Sequence, residues 1–141
     1  EGYEVDLSPS KTQLVILDQA TQELFLASNS GEITNITYRV YKSSKGYTET
    51  KESILKRKPD FIWAEQPRFL DEDTVVYMSQ LPWFDERKFL YIVELNPLTH
   101  RNFQSVFGQD LALKELDDKG LAYEKAGNMY YLTSDFKIVN P

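Results

Sequence analysis

Three segments of the sequence repeat one local pattern: a short polar turn, an apolar strand, a polar break and a second apolar strand. They span residues 7–26, 69–95 and 116–132. The turns, at 8–11, 71–73 and 117–120, contain Ser or Asp, which cap their own backbone amides. A unit of this kind cannot bury its apolar face alone, so repeated units are expected to stack on one another. The repeat therefore predicts stacked antiparallel β-units.

Length and composition favour one folded domain. The chain has 141 residues, 41% of them hydrophobic, with nine Tyr and eight Phe that suit half-buried pleated surfaces. We predict a single all-β domain over 1–141, an antiparallel meander of about three units at 3–41, 61–107 and 110–140. A basic loop insertion occupies 42–60. A small β-sandwich is the alternative fold.

Alternating apolar residues and turn signals place the individual strands. In the strand predicted over 33–41, Ile36, Tyr38 and Val40 share one face. The other predicted strands are 13–17, 23–28, 61–65, 74–79, 88–95, 102–107, 121–123, 129–132 and 136–139, with turns at 96–99 and 126–128. A short helical turn is predicted over 50–56 within the basic insertion.

Residues 67–79 and 88–95 carry a family resemblance. The first range has an apolar residue, the turn Asp71-Glu72-Asp73 and a strand ending in Tyr and Ser, and the second is Lys-Phe-Leu-Tyr-Ile-Val-Glu-Leu. This order resembles a blade of the TolB-like and WD40-like β-propeller families. The resemblance implies blade-like units in a partial or open propeller, since closed propellers use four to eight blades.

Charge and composition exclude several classes of ligand. The net charge of -6 disfavours nucleic acids and anionic membranes, which are bound through clustered Lys and Arg. No apolar stretch approaches the roughly 18 residues of a membrane span, so neither nucleic acid binding nor membrane insertion is expected. Cysteine is absent, which excludes disulfides and thiolate chemistry. The basic stretch 42–59 is either a solvated insertion or a contact site for an acidic partner.

The sequence offers no recognisable catalytic constellation. His100 is the only histidine, it is expected in an exposed turn, and no Gly-x-Ser-x-Gly motif accompanies it. The acidic groups at 71–73 and 117–118 lack the spacing of a calcium loop, and we expect them to cap turns. Glycines are not spaced as in phosphate-binding loops. We therefore predict no catalytic residues, no metal site and no cofactor.

An apolar cluster interrupts the second unit where a connection is normally polar. Residues 81–84 are Leu-Pro-Trp-Phe and are followed closely by Arg87. Trp and Arg are frequent anchors of binding energy, so the predicted binding residues are Leu81, Trp83, Phe84 and Arg87. The alternative is that Trp83 folds back to cap the sheet. Trp63, in contrast, is expected in the core.

These observations favour a non-catalytic binding or interaction module. We expect a protein partner or self-association through unpaired edge strands, with carbohydrate as a further candidate ligand because aromatic rings stack on sugars. The start at Glu1, without a signal-like stretch, suggests an exported bacterial protein from which a targeting segment was removed, extracellular or on the cell surface. The alternative is a carboxylate-dependent hydrolase or an accessory propeller domain of a larger enzyme.

Overall fold

The computed structural model describes residues 2–82 and 86–140. Over these residues the chain forms 14 strands and one helix, arranged as three four-stranded antiparallel sheets and a two-stranded hairpin. The predicted all-β antiparallel architecture is confirmed, and none of the described sheets closes on itself.

The first sheet contains β1 (Tyr3–Leu7), β2 (Gln13–Asp18), β3 (Glu23–Ser28) and β4 (Ile33–Asn35), which pair in chain order. Period-two alternation separates its faces, because Val15, Leu17 and Leu24 are buried while β1 leaves Tyr3 and Val5 exposed. One face of this sheet therefore contributes to the core and the other does not.

The prediction of one strand over 33–41 is wrong beyond Asn35, where β4 ends. Pairing with β3 ends there, and the Thr37 hydroxyl accepts a hydrogen bond from the Leu24 backbone N–H at 2.8 Å. The side chain of Thr37 replaces the next ladder bond and is buried, although the alternation placed it on the polar face. The chain then leaves the first sheet and enters a separate hairpin.

This hairpin and a short helix connect the first two sheets. Strands β5 (Val40–Lys42) and β6 (Thr48–Thr50) pair with each other, and helix α1 (Lys51–Arg57) follows directly. Thr50 caps the helix by accepting a hydrogen bond from the Ser53 N–H, which satisfies an orphan donor of the first turn. The predicted helical turn is confirmed, and the 42–60 segment contains regular structure as well as loop.

The second sheet contains β7 (Glu65–Asp71), β8 (Thr74–Gln80), β9 (Lys88–Leu95) and β10 (Leu98–Gly108), again in chain order. The strand predicted over 61–65 begins only at Glu65, and the last strand starts at Leu98, four residues before the prediction. The two central strands, β8 and β9, are almost entirely buried on both faces. That burial explains their nearly continuous apolar sequences.

The third sheet contains β11 (Leu111–Asp117), β12 (Gly120–Lys125), β13 (Asn128–Leu132) and β14 (Ile138–Val139). The β12–β13 turn uses positive φ at Ala126 and Gly127, the geometry of a two-residue hairpin loop. Gly120 also has a positive φ, and a Cβ there would lie 2.5 Å from the Leu132 carbonyl oxygen. The predicted final strand, 136–139, is reduced to two residues.

The second sheet is the middle layer of the molecule. One of its faces packs with the first sheet, the hairpin and α1 in a first core, which includes Trp63 and Tyr41. The other face packs with the third sheet in a second core, which includes Met78 and Tyr123. Each outer sheet therefore buries one face and leaves the other without a covering sheet among the described residues.

The first strands of the three sheets meet along β7, which contacts both β1 and β11. Side chains bridge the three strands where no backbone ladder does. Arg68 on β7 donates from Nη1 to Glu4 of β1 and from Nε to the Lys114 carbonyl of β11, both at 2.9 Å. Asp6 of β1 accepts from the Phe69 N–H at 2.8 Å, and Gln66 accepts from the Leu113 N–H at 2.7 Å.

Candidate functional site

A cavity of about 580 Å³ lies between the hairpin and the second sheet. Its size falls within the range of small-ligand sites, roughly 300 to 1,000 Å³. The hairpin side supplies polar and basic residues, and the sheet side supplies apolar and amide groups. The lining residues are Lys42, Ser43, Ser44, Lys45, Tyr47, Leu81, Tyr91, Asn102 and Gln104.

The hairpin is held over the sheet by Tyr41. Its ring stacks on Trp63 with centroids 3.9 Å apart and on Tyr91 at 5.1 Å. Its hydroxyl forms a hydrogen bond with the Ser79 hydroxyl and donates to the Trp63 carbonyl at 3.2 Å. Burial raises the pKa of Tyr41 well above 10, so the phenol stays neutral and can keep donating. The wall of the cavity is therefore fixed to the core.

The charged residues in the described part of the cavity lining are all basic. Lys42 and Lys45 line the cavity, and no carboxylate is among the lining residues that the structure describes. Neither ammonium forms a salt bridge with a carboxylate in the part of the chain that the structure describes. The site therefore has positive potential inside an acidic protein, which favours an anionic ligand.

Asn102, one of the lining residues, carries a buried acceptor. The Oδ1 atom of Asn102 is buried, and no hydrogen-bond donor within 2–82 and 86–140 reaches it. A buried carbonyl without a partner costs about 1 to 3 kcal/mol. The neighbouring Tyr91 and Leu81 are 5% and 2% exposed and belong to the first core.

The predicted binding residues fall in different surroundings. Leu81 is 2% exposed and belongs to the cavity wall and the first core rather than to an exposed patch. Arg87 places its guanidinium 5.2 Å from the Phe107 ring centroid, a cation–π contact. Trp83 and Phe84 lie outside the described residues. Of the two described residues, Leu81 is in the cavity lining and Arg87 is not.

His100 is not the exposed turn residue that the sequence predicted. It lies in β10, forms a hydrogen bond from Nε2 to the Ile36 carbonyl at 2.8 Å and stacks on Tyr38 at 4.6 Å. Burial lowers its pKa below the ordinary 6.5, and the carbonyl contact opposes that effect. The prediction failed because the strand extends back to Leu98, which turns a loop position into a sheet position.

The carboxylates of the acidic turns accept hydrogen bonds from backbone amides of the protein. Asp71 accepts from the Asp73 N–H at 2.9 Å, and Asp117 accepts from the Lys119 N–H at 2.8 Å. Glu72 accepts from the Ser10 N–H, so the corresponding turns of the first and second sheets are joined. Across the described ranges, no group of three or more His, Asp or Glu side chains is arranged to hold a metal ion.

The basic stretch divides into two parts. Lys51 pairs with Glu23 at 2.8 Å and Arg57 pairs with Glu49 at 2.6 Å, so both cations form ion pairs within the fold. Lys42 and Lys45 instead line the cavity. Sequence reasoning missed the cavity because it depends on folding the hairpin over β9 and β10, which no local pattern encodes.

Both outer sheet faces expose apolar side chains. On β1, Tyr3, Val5 and Leu7 are 64%, 55% and 45% exposed and point the same way. On the far side, Met129 of β13 and Val139 of β14 are exposed on the outer face of the third sheet. We call these surfaces the β1 face and the β13 face.

No protein-family model, curated protein or solved structure matches this chain. Among the described residues, no helix has the length and apolarity needed to cross a membrane.

Proposed function

We propose that the chain is a non-catalytic interaction module that assembles with a second copy of itself through its two outer sheet faces. The observation that carries the proposal is the β1 face, where three apolar side chains at alternate positions remain exposed. Contiguous apolar surface of this kind commonly marks an interaction site. An extracellular or cell-surface location in a bacterium stays a prediction from the sequence.

The stacking inside the chain supports a second copy as the occupant. The first and third sheets each bury one face against the middle sheet and leave the opposite face without a covering layer in the described chain. The β13 face of one copy can continue this order by packing on the β1 face of another. Three four-stranded units per chain would give six in a pair, within the four to eight blades of a propeller. This arrangement agrees with the resemblance to propeller blades.

Edge pairing is the other route to self-association. The described edges at β4 and β14 are only three and two residues long. The longer edge strand β10 carries a register shift between Phe103 and Phe107, which interrupts a regular ladder. Short and bulged edges resist pairing with another chain. Face-to-face packing is therefore better supported than edge extension.

Sedimentation velocity tests the proposal over a range of protein concentrations. We expect a dimer of the 16.4 kDa chain, and Val5→Lys and Met129→Lys should each weaken dimerisation by about tenfold or more, because each buries a charge at an apolar contact. Leu98→Lys is the matched control, because this exposed residue lies on neither face. A monomer at every concentration, or equal weakening by the control, would reject the assembly.

Mixing the two variants distinguishes the arrangement. If the β1 face of each copy meets the β13 face of the other, a mixed pair contains one contact with both substitutions and one with none. The mixture should therefore dimerise better than either variant alone. If β1 faces pair with each other instead, Met129→Lys should have no effect and mixing should rescue nothing.

A further inference from the structure

We propose that Glu115 on β11 sets the register between two copies of the chain, by accepting a hydrogen bond from the main chain of β1 in the second copy. The inference rests on the proposed function, in which the β13 face of one copy packs on the β1 face of the other. It adds the polar contact that fixes how those faces meet.

Both contacts between successive sheets inside the chain follow one pattern. Between the first and second sheets, the Asp6 carboxylate accepts from the Phe69 N–H at 2.8 Å. Between the second and third sheets, Arg68 donates from Nε to the Lys114 carbonyl at 2.9 Å. In each case, a side chain on the first strand of one sheet bonds to the main chain of the first strand in the next sheet.

The two bonding side chains occupy the same place in their sheets. Asp6 pairs with Val15, and Arg68 pairs with Val76. Each valine is the third residue of the second strand of its sheet, and each is buried against the following sheet. A polar side chain opposite this position therefore bonds to the sheet that follows.

The third sheet has an acceptor at the corresponding place. Ala122 is the third residue of β12, and a register shift in β11 sets two residues, Lys114 and Glu115, opposite it. The neighbours of Ala122 on either side, Leu121 and Tyr123, belong to the second core. Because side chains alternate along a strand, Ala122 lies on the outer face, which is the β13 face.

Glu115 has no use within its own chain. It is exposed, and it forms no hydrogen bond or ion pair within 2–82 and 86–140, whereas Lys114 beside it pairs with Glu124 at 3.6 Å. Its side chain lines a groove of about 840 Å³, together with Glu4 of β1 and Arg68 of β7. A free carboxylate therefore lies where the first strands of the three sheets meet.

Strand β1 of a second copy offers the main-chain donors. It is an edge strand, with no strand partner on its outer side in the described chain. The Ser8 N–H donates to the Gln13 carbonyl at 2.9 Å and ends the ladder with β2. Because bonded and non-bonded positions alternate along an antiparallel pair, the N–H groups of Val5 and Leu7 point away from β2.

Disulfide cross-linking tests the contact, because the chain has no cysteine of its own. Glu115→Cys and Leu7→Cys are prepared as separate variants, since Leu7 follows Asp6 as Phe69 follows Arg68. A disulfide needs Cα atoms within about 7 Å of each other. An oxidised equimolar mixture should therefore give a covalent dimer with the summed mass of the two variants. Glu115→Cys mixed with Leu98→Cys is the control and should give no such dimer.

The outcome separates this inference from the proposed function. A wild-type chain that dimerises, with no cross-link in the Glu115→Cys and Leu7→Cys mixture, would overturn the Glu115 contact without contradicting the packing of the two faces. Equal cross-linking to Leu98→Cys would overturn it as well. A wild-type chain that stays monomeric in sedimentation velocity would reject both.

Dimer affinity gives a second measurement. Glu115→Ala should weaken dimerisation by at least about tenfold, because hydrogen bonds to charged groups are strong and each pair contains two of them. Glu115→Gln keeps an acceptor and should weaken it less. Glu32→Ala removes an exposed carboxylate between β3 and β4 and should change nothing. Dimerisation of Glu115→Ala as tight as that of the wild type would overturn the inference, and unchanged urea unfolding of the monomer would show that the fold is retained.

Discussion

At the scale of single residues, two buried tyrosines in the first core differ in how their hydroxyls are used. Tyr41 and Tyr77 are both 0% exposed. The Tyr41 hydroxyl bonds to Ser79 and Trp63, whereas no group within the described ranges bonds to the Tyr77 hydroxyl. Substitutions at these two tyrosines therefore distinguish the effect of a buried hydrogen bond from the effect of a buried ring.

We expect Tyr41→Phe to lower the free energy of unfolding by about 1 to 3 kcal/mol, since it removes the buried hydrogen bonds of the Tyr41 hydroxyl to the Ser79 hydroxyl and the Trp63 carbonyl. Tyr77→Phe should be neutral or stabilising, because it removes a polar atom whose burial is uncompensated. Urea denaturation of both variants measures the difference. Equal destabilisation would mean that Tyr77 has a hydrogen-bond partner.

His100 gives the molecule a pH-dependent stability with a definite sign. Its pKa is lowered in the folded state, so the unfolded chain binds more protons between the folded value and the ordinary 6.5. The stability that His100 contributes is fully present above pH 6.5. It is lost as the pH falls from 6.5 towards the lower pKa of the folded state. The rings that face it, Tyr38 and Tyr77, have pKa values raised above 10 and do not titrate in this window.

His100→Gln should flatten this part of the stability profile, because Gln can donate to the Ile36 carbonyl without taking up a proton. Denaturant unfolding from about pH 8 to about pH 5 would measure it, in the range where histidine titrates. The wild-type protein should lose more stability than the variant across that range. Parallel profiles would contradict the assignment.

At the scale of elements, Glu23 of β3 links the first sheet to helix α1. It accepts from Lys51 at 2.8 Å, from Arg39 at 2.9 Å and from Asn35 at 2.8 Å. Burial alone would raise the pKa of Glu23, but these donors lower it to about 2. The Lys51 side chain is only 7% exposed, so the pair lies largely out of water.

Glu23→Gln should lower the free energy of unfolding by about 1 to 3 kcal/mol or more, because it leaves the buried Lys51 ammonium without its counterion. The variant should also lose the acid sensitivity that the wild type shows as the pH falls from 4.5 towards 2. Glu52→Gln is the matched control: Glu52 also pairs with Arg39, but its side chain is 65% exposed and should contribute little. Chemical denaturation at several pH values would measure both variants.

Strand positions were largely predictable because local patterns encode them. The strand predicted over 88–95 has those bounds, and β2, β3, β8 and β13 differ by no more than a residue or two from the predicted ranges. The predictions failed where a distant contact decided the outcome. Thr37 ends pairing beyond β4 by bonding to Leu24, and the start of β10 is set by its partner β9.

At the scale of the whole molecule, the stacking of antiparallel sheets was predictable but the polar contacts between them were not. Apolar strand faces must be covered by neighbouring layers, and the middle sheet is buried on both faces. The cavity and the bridges to β7 join residues more than 40 positions apart in the chain, such as Arg68 and Lys114. No periodicity in the sequence carries that information.

Substitution of Arg68 tests whether the three sheets are coupled to one another. Arg68 is placed on β7 and bonds to Glu4 in the first sheet and to the Lys114 carbonyl in the third. Arg68→Met keeps most of the apolar stem and removes both bonds. We expect a loss of about 1 to 3 kcal/mol in the free energy of unfolding, with Glu4 left unpaired in a part-buried position.

Native-state hydrogen exchange distinguishes a bridge from a local contact. If Arg68 couples the sheets, Arg68→Met should reduce amide protection in both β1 and β11, because each can then open more independently. Arg68→Lys should be intermediate: it keeps a charge for Glu4 but lacks the planar fork that reaches two acceptors at once. Lys137→Met, which removes an exposed pair with Asp135 at 3.8 Å, should change neither strand. Loss of protection confined to β7 would show that the outer sheets are held by their apolar faces alone.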